Sequence, residues 1–209
     1  MITPHSQTWL FLIFLNKRPT LSKTRFGNHS SSKLLPYQRC QRDLNRPTSH
    51  KIEMMKINSY WKTFEELTTS ELYALLQLRA AIFVVEQNCP YQDLDGKDLK
   101  SHHLLCFDNE RLIGTARVLP PDVSYPGAAS IGRIVVATDH RGTKLGRAVV
   151  ESSIAKVRAI WGEVPLLIGA QARLQGFYES LGFAAEGEVY DEDGIDHITM
   201  RWHPVAALG

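Results

Sequence analysis

Ile131-Gly132-Arg133-Ile134-Val135-Val136-Ala137-Thr138-Asp139-His140-Arg141-Gly142-Thr143-Lys144-Leu145-Gly146-Arg147-Ala148-Val149-Val150 decides how this chain is read. It opens with a β-branched, apolar run, the pattern of a buried strand. A short polar turn follows, then a helix expected from about Lys144 to Trp161. On that helix Val150, Ile154, Val157 and Trp161 recur at helical spacing. The spacing places Arg141, Lys144 and Arg147 at the helix start, with Gly142 and Gly146 flanking the turn. Glycine lets backbone N–H groups approach a ligand closely. A helix start carries unpaired N–H donors and the positive end of the peptide dipoles. Strand, basic glycine-containing turn and helix start together make an anion site suited to a pyrophosphate.

The turn is neither of two familiar phosphate motifs. A P-loop needs Gly, four residues and Gly-Lys-Ser/Thr, which does not occur here. The dinucleotide fingerprint needs a third glycine and a later acidic residue, and both are missing.

Charge is unevenly distributed along the 209 residues. Residues 1–54 hold nine Lys/Arg against two Asp/Glu, a net of +7, whereas 55–209 hold fifteen against twenty, a net of −5. The basic balance therefore belongs to the N-terminal segment, and the mildly acidic remainder argues against nucleic acid as a partner. Cys40, Cys89 and Cys106 are few and odd in number, as in a cytoplasmic protein with reduced thiols. Residues 1–54 are rich in Ser, Arg, Asn and Pro and lack an apolar period, a composition that does not order itself. The apolar run Trp9–Leu15 is too short to span a bilayer. Met54 and Met55 stand just before patterned sequence. The segment is therefore read as an extension upstream of the true start, with a transit peptide as the alternative. The organisation expected is 1–54 as a disordered extension and 55–209 as one α/β domain.

Within 55–209 the pattern gives a strand over 60–67 and a helix capped by Thr69 or Ser70 that runs to about Gln87. An acid-rich loop with Asp93, Asp95 and Asp98 follows. Strands are expected at 102–107 and 111–119, then the central strand and its helix. Leu166–Ala170 reads as a parallel strand covered on both faces. A helix over 171–181 ends at Gly182, and a hairpin turns at Asp193-Gly194. The acidic loop has two readings, a lure for a cationic amine or a solvated surface. His102 and His103 are adjacent in a strand and point to opposite faces, so with Cys89 and Cys106 they give no metal-ligand pattern.

Arg141 and Gly146 in the turn, with Lys144 in place of a middle glycine, resemble motif A of the GNAT acyl-CoA-dependent N-acetyltransferases. Phe177-Tyr178-Glu179-Ser180-Leu181-Gly182-Phe183 resembles a later motif of that family, and the order of elements is also similar. Leu76–Arg79, Phe83–Gln87, Cys89–Gly96, Ile131–Arg133, Gly169–Ala172 and Glu192–Gly194 resemble the ElaA branch in particular, in which Lys144 also has its counterpart. The resemblance covers about 58–203.

It implies a central mixed sheet flanked by helices and acetyl-CoA as co-substrate, with no metal. The pantetheine arm would lie along Ile134, Val135 and Val136. The pyrophosphate would sit on Arg141, Gly142, Thr143, Lys144, Leu145, Gly146 and Arg147, with Gln171 nearby. Tyr178 would be the general acid that protonates the departing thiolate, since a phenol is protonated at neutral pH; packing into the core is its other reading. Glu86 is the candidate base, against a salt-bridged glutamate (with Arg79) or a chain of waters. The acceptor would be a small-molecule or peptide amine attacking the thioester directly, with no nucleic acid or membrane partner and room for a homodimer. A non-catalytic acyl-CoA-binding module on the same fold is the alternative.

A chain beginning at Met55 is expected to melt at the same temperature as the full chain. A midpoint lower by several degrees in a calorimetric scan would show that 1–54 contribute to folding.

Overall fold

The computed structural model describes residues 57–203; the expectations for 1–54 lie outside them. Eight strands form one mixed sheet: β1 (Ile57–Thr63), β2 (His102–Asp108), β3 (Arg111–Leu119), β4 (Ala129–Val136), β5 (Leu166–Gln171), β6 (Phe183–Ala185), β7 (Tyr190–Glu192) and β8 (Ile195–Trp202). Their order is β1-β2-β3-β4-β5-β8-β6, with β7 pairing with β8. Helices α1 (Thr69–Arg79), α2 (Leu145–Trp161) and α3 (Gln175–Glu179) pack on this sheet. No helix among the described residues is long and apolar enough to cross a membrane.

Alternation along β2 explains the layering. Leu104 and Cys106 join Ile113, Leu145 and Val149 beneath α2, while Leu105 joins Leu75 and Leu112 beneath α1. Successive strand side chains face opposite sides, so both faces of this strand are covered. On α2 the expected stripe is found: Val150, Ile154 and Val157 pack with Ile131, Ile168 and Met200, and Trp161 lies partly buried against them.

The first helix differs from expectation at both ends. Its cap is Thr68 rather than Thr69 or Ser70, because Glu71 stands three residues on and closes a capping box. The Thr68 hydroxyl accepts from the Glu71 N–H at 3.2 Å, and Glu71 accepts from the Thr68 N–H at 2.8 Å. Beyond Arg79 the helix widens into π-type turns over Ala80–Glu86. The span expected as one helix over 171–181 begins as strand, passes through a 3-10 turn at Ala172–Leu174 and is α-helical only at Gln175–Glu179. Gly182, at φ 90°, ends it as expected. The final hairpin keeps the Asp193-Gly194 turn, both residues having positive φ (55° and 82°), as a two-residue loop between paired Glu192 and Ile195 requires. Its first arm is not one strand: β6 and β7 pair with opposite ends of β8.

Neither reading of the acidic loop holds for Asp93 and Asp98, while Asp95 keeps an exposed position but is ion-paired. Asp93 and Asp98 are buried. Arg79, itself 1 % exposed, donates to Asp93 at 2.8 Å and to Asp98 at 2.9 Å. Arg117 reaches Asp95 at 2.6 Å and Asp98 at 2.9 Å, and Arg133 reaches Asp93 at 2.6 Å. Three arginines from α1, β3 and β4 thus neutralise three aspartates and fasten the loop to the sheet.

β4 carries the two irregularities that make a site. Arg117 pairs with Gly132 and Thr115 with Val135, so Arg133 and Ile134 together oppose Ala116 in a β-bulge. Arg133 takes a positive φ of 52° there. On its other side β4 pairs in parallel with β5 only at Ala129–Leu166 and Ser130–Leu167. β5 was expected to be a parallel strand; most of its pairing is instead antiparallel, with β8 over Leu167–Gln171.

Replacing Asp98 with Asn leaves Arg79 and Arg117 short of a buried counter-charge and is expected to lower stability by on the order of 3 kcal/mol in urea unfolding. Burial pushes the Asp98 carboxyl up, but the Arg79 and Arg117 guanidinium groups outweigh this and hold it below the usual carboxylate range. Such a group stabilises fully above its unfolded pKa of about 3.9, and the contribution fades as pH falls through its folded value. The gap between wild type and Asp98→Asn should therefore narrow below about pH 4.

Candidate active site

Where β4 and β5 part, a cavity of about 370 Å³ opens between them and the Ile82–Tyr91 segment. Seven of the residues expected at a site line it: Glu86, Ile134, Val135, Val136, Arg141, Gln171 and Tyr178. β4 presents its backbone here without a strand partner on the β5 side, since pairing with β5 ends at Ser130.

The turn beyond β4 lies at the end of this cleft. α2 opens at Leu145, so Arg147 stands in its first turn, whereas Arg141 precedes the turn and Lys144 caps it. Gly142 has φ 76° with open space around the position a Cβ would take. Lys144 has φ 70° and ψ 0°, so it adopts the left-handed conformation that glycine supplies most readily. A lysine thus follows the glycine path, and the backbone of the turn is preserved. Among the described residues no backbone N–H from Gly142 to Arg147 has a hydrogen-bond acceptor. Thr143 donates its hydroxyl to the His140 carbonyl at 2.7 Å. Leu145 is buried against the sheet, and a Cβ on Gly146 would lie 3.9 Å from Val136 Cγ2. Arg147 turns away, to the Ser180 hydroxyl at 2.5 Å.

Glu86 and Arg141 meet across the mouth of the cleft. Arg141 Nη1 lies 2.8 Å from Glu86 Oε1, and the Thr138 hydroxyl donates to Oε2 at 2.8 Å. Arg141 Nε also donates to the Val136 carbonyl at 3.3 Å. Glu86 is thus salt-bridged, as in its alternative reading, but to Arg141 rather than Arg79, because Arg79 points inward to Asp93 and Asp98. The Arg141 hydrogen bond, then that of Thr138, holds the Glu86 carboxyl below its ordinary range.

Tyr178 is 7 % exposed, its ring edge-on to Phe177 and Phe183 with centroids 5.1 and 5.7 Å apart. Its hydroxyl has no hydrogen-bond partner among the described residues, yet the side chain lines the cavity. Burial pushes its pKa up to about 12, so it stays protonated throughout the neutral range. Gln171 donates to Gln87 Oε1 at 3.1 Å and accepts from Arg173 at 2.8 Å.

Six further lining residues receive no site role from the sequence, although all but His197 lie in the stretches that resemble the ElaA branch. Phe83, Tyr91 and Arg133 form one wall, with the guanidinium 5.5 Å from the Tyr91 ring centroid. Glu192, Asp193 and His197 of the last hairpin form another. They come from segments about a hundred residues apart, and only the pairing of β8 with β5 places the hairpin beside the cleft. Among the described residues no three His, Cys, Asp or Glu side chains are arranged to hold a metal ion.

The family model described as "Acetyltransferase (GNAT) domain" matches residues 73–204. ElaA of Escherichia coli (strain K12) is 48% identical over 144 residues, 68% of this chain and 94% of that protein. Among solved structures, an acyl-CoA N-acyltransferase from Pseudomonas aeruginosa superposes with a TM-score of 0.67 at 43% identity, covering 70% of this chain and 99% of that one. The Escherichia coli ElaA crystal structure gives a TM-score of 0.66 at 44% identity with the same coverage.

The left-handed Lys144 makes a direct prediction. Lys144→Val places a β-branched residue at φ 70° and is expected to lower stability by roughly 1–2 kcal/mol, whereas Lys144→Gly is expected to be neutral or stabilising. Equal melting temperatures for the two variants would contradict the turn geometry.

Proposed function

The chain belongs to the GNAT acetyltransferase family, in its ElaA-like branch, and is a transferase; from that premise we propose that it moves an acetyl group from acetyl-CoA to an amine by direct attack on the thioester. One observation carries this reading. A single cleft joins the unpaired edge of β4 to an unpartnered, protonated Tyr178 hydroxyl, and ends at a turn whose N–H groups from Gly142 to Arg147 lack acceptors.

The roles follow from position. Ile134, Val135 and Val136 offer backbone N–H and C=O groups to the amides of a pantetheine arm, as a neighbouring strand would. The turn from Arg141 to Gly146 receives the pyrophosphate on its N–H groups and the positive end of α2, with Lys144 adding charge; Arg147, held by Ser180, contributes only by turning back from that contact. Gln171, held by Gln87 and Arg173, is placed to bind the same arm. The amine nitrogen attacks the thioester carbon and loses a proton as the new C–N bond forms. The C–S bond then breaks, and Tyr178 gives its phenolic proton to the sulfur, to be reprotonated from water.

Glu86 is assigned as the base, through an exchange of partners. While Arg141 holds it, its proton affinity is depressed. A pyrophosphate that draws Arg141 to itself releases the Glu86 carboxylate, whose pKa then rises toward the ordinary value. The same movement frees the Val136 carbonyl. The setting proposed is the cytoplasm, in keeping with Cys89 and Cys106, which are both free thiols.

Tyr178→Phe separates catalysis from packing. The ring and its contacts remain and no hydrogen bond is lost, so the melting temperature and acetyl-CoA affinity should hold. Thiol release with a reactive amine should fall by about 10²–10⁴. A fully active variant would remove Tyr178 from the mechanism. Binding of CoA by the wild type without turnover of any amine would leave an acyl-CoA-binding module in place of an enzyme.

A further inference from the structure

The charges lining the cavity are not all matched. Arg133 is engaged by Asp93 and, at 3.5 Å, by Asp95, and Arg141 by Glu86. Arg173 lies on the side-chain oxygen of Gln171. The carboxylates of Glu192 and Asp193 form no ion pair among the described residues, although both line the cavity. Residues 190–197 hold Asp191, Glu192, Asp193 and Asp196 and no Lys or Arg. Of the carboxylates that line the cavity, that of Glu86 is thus paired with Arg141, and those of Glu192 and Asp193 on the hairpin are left without an arginine or lysine.

The backbone that carries these exposed carboxylates is held in place. Asp193 and Gly194 form the tight turn, the Gly194 N–H donates to Asp191 at 3.2 Å, and the buried Cys89 thiol donates to the Asp193 carbonyl at 3.3 Å. That last bond ties the hairpin to the loop opposite. A second observation marks the same cavity as a ligand site: the unpartnered Tyr178 hydroxyl, on a side chain more than nine-tenths buried, opens into it. Along β8, Ile195 lies two residues beyond His197, the residue paired with Gln171, so the turn stands roughly 7 Å past the end of β5.

Taking the acetyl-transfer reading as given, we propose that the acceptor is an amine bearing a second, distal positive charge, which Glu192 and Asp193 hold while the other nitrogen reacts. The attacking nitrogen must be neutral to use its lone pair and has no charge to offer a carboxylate. A distal ammonium stays protonated and relieves the mutual repulsion of the two carboxylates. The aspartates of the 91–101 loop do not serve here, because Arg79, Arg117 and Arg133 neutralise them.

Three probes of matched length test this with the full chain: 1,4-diaminobutane, pentylamine and 4-aminobutanoate. Their distal groups are positive, neutral and negative. Thiol release from acetyl-CoA gives kcat/KM for each, and calorimetry with CoA-saturated protein gives the affinity for each. The expected order is diamine, monoamine, amino acid, with about 10-fold between the first and the last, since each exposed carboxylate contributes a few-fold. The isosteric double variant Glu192→Gln/Asp193→Asn should collapse that spread at an unchanged melting temperature and CoA affinity. An equal or reversed order, or a variant that keeps the preference, overturns the proposal. Diamine binding that depends on Glu192 and Asp193 without any acetylation would sustain the cationic site and sink the transferase reading instead.

Discussion

Three guanidinium groups facing three carboxylates hold the sheet and the first helix to the loop between them. Arg79 comes from α1, Arg117 from β3 and Arg133 from β4, and their partners Asp93, Asp95 and Asp98 lie within one short loop. Removing six charges from water is costly, and the contacts between them repay that cost only when geometry is good. Here it largely is, apart from Arg117 Nε, which is fully enclosed and has no partner among the described residues. Such a network adds little net stability, but losing any one member strands its neighbour. Its consequence is positional. Arg133 can reach Asp93 only because the β-bulge turns its residue out of register, so the same ion pairs that fasten the loop also anchor the irregular part of β4.

The cleft follows from that irregularity and from the divergence of β4 and β5. A parallel pair that runs for only two residues leaves the rest of β4 with unpaired backbone groups, normally a liability for a strand edge. In this fold that edge is covered by Glu86 and Arg141, which meet across the opening, and by Arg141 donating to the Val136 carbonyl. Anything that pairs with β4 must displace these contacts, which couples recognition along the strand to the charge state of Glu86.

Around Tyr178 the surroundings are packed on one side and open on the other. Tyr178 is packed by Phe177 and Phe183 yet opens to the cavity, a placement that keeps a phenol protonated and accessible. Core packing and an open hydroxyl, which compete as readings when only the sequence is known, involve different atoms of one side chain: the ring packs, and the hydroxyl is unpartnered among the described residues.

By itself the sequence determined the parts governed by short-range periodicity and turn chemistry. The Val150, Ile154, Val157 stripe set α2, short apolar runs set β2 and β3, Asp193-Gly194 set the last turn, and Arg141–Gly146 marked a basic turn ahead of a helix. Those signals lie within a few residues of the groups they position. Only the tertiary structure decided which charges remain available. Asp93, Asp95 and Asp98 read as a free acidic loop because their partners stand at positions 79, 117 and 133, and no local pattern reveals an ion pair across that separation. Glu192 and Asp193 read as an ordinary turn until the pairing of β8 with β5 carried them to the cleft. Likewise, a lysine where glycine is usual is accommodated by a left-handed backbone that composition does not disclose. Charge pairing and strand order are long-range, set by the packing of the whole sheet, and the physics that fixes them acts only once the chain has folded.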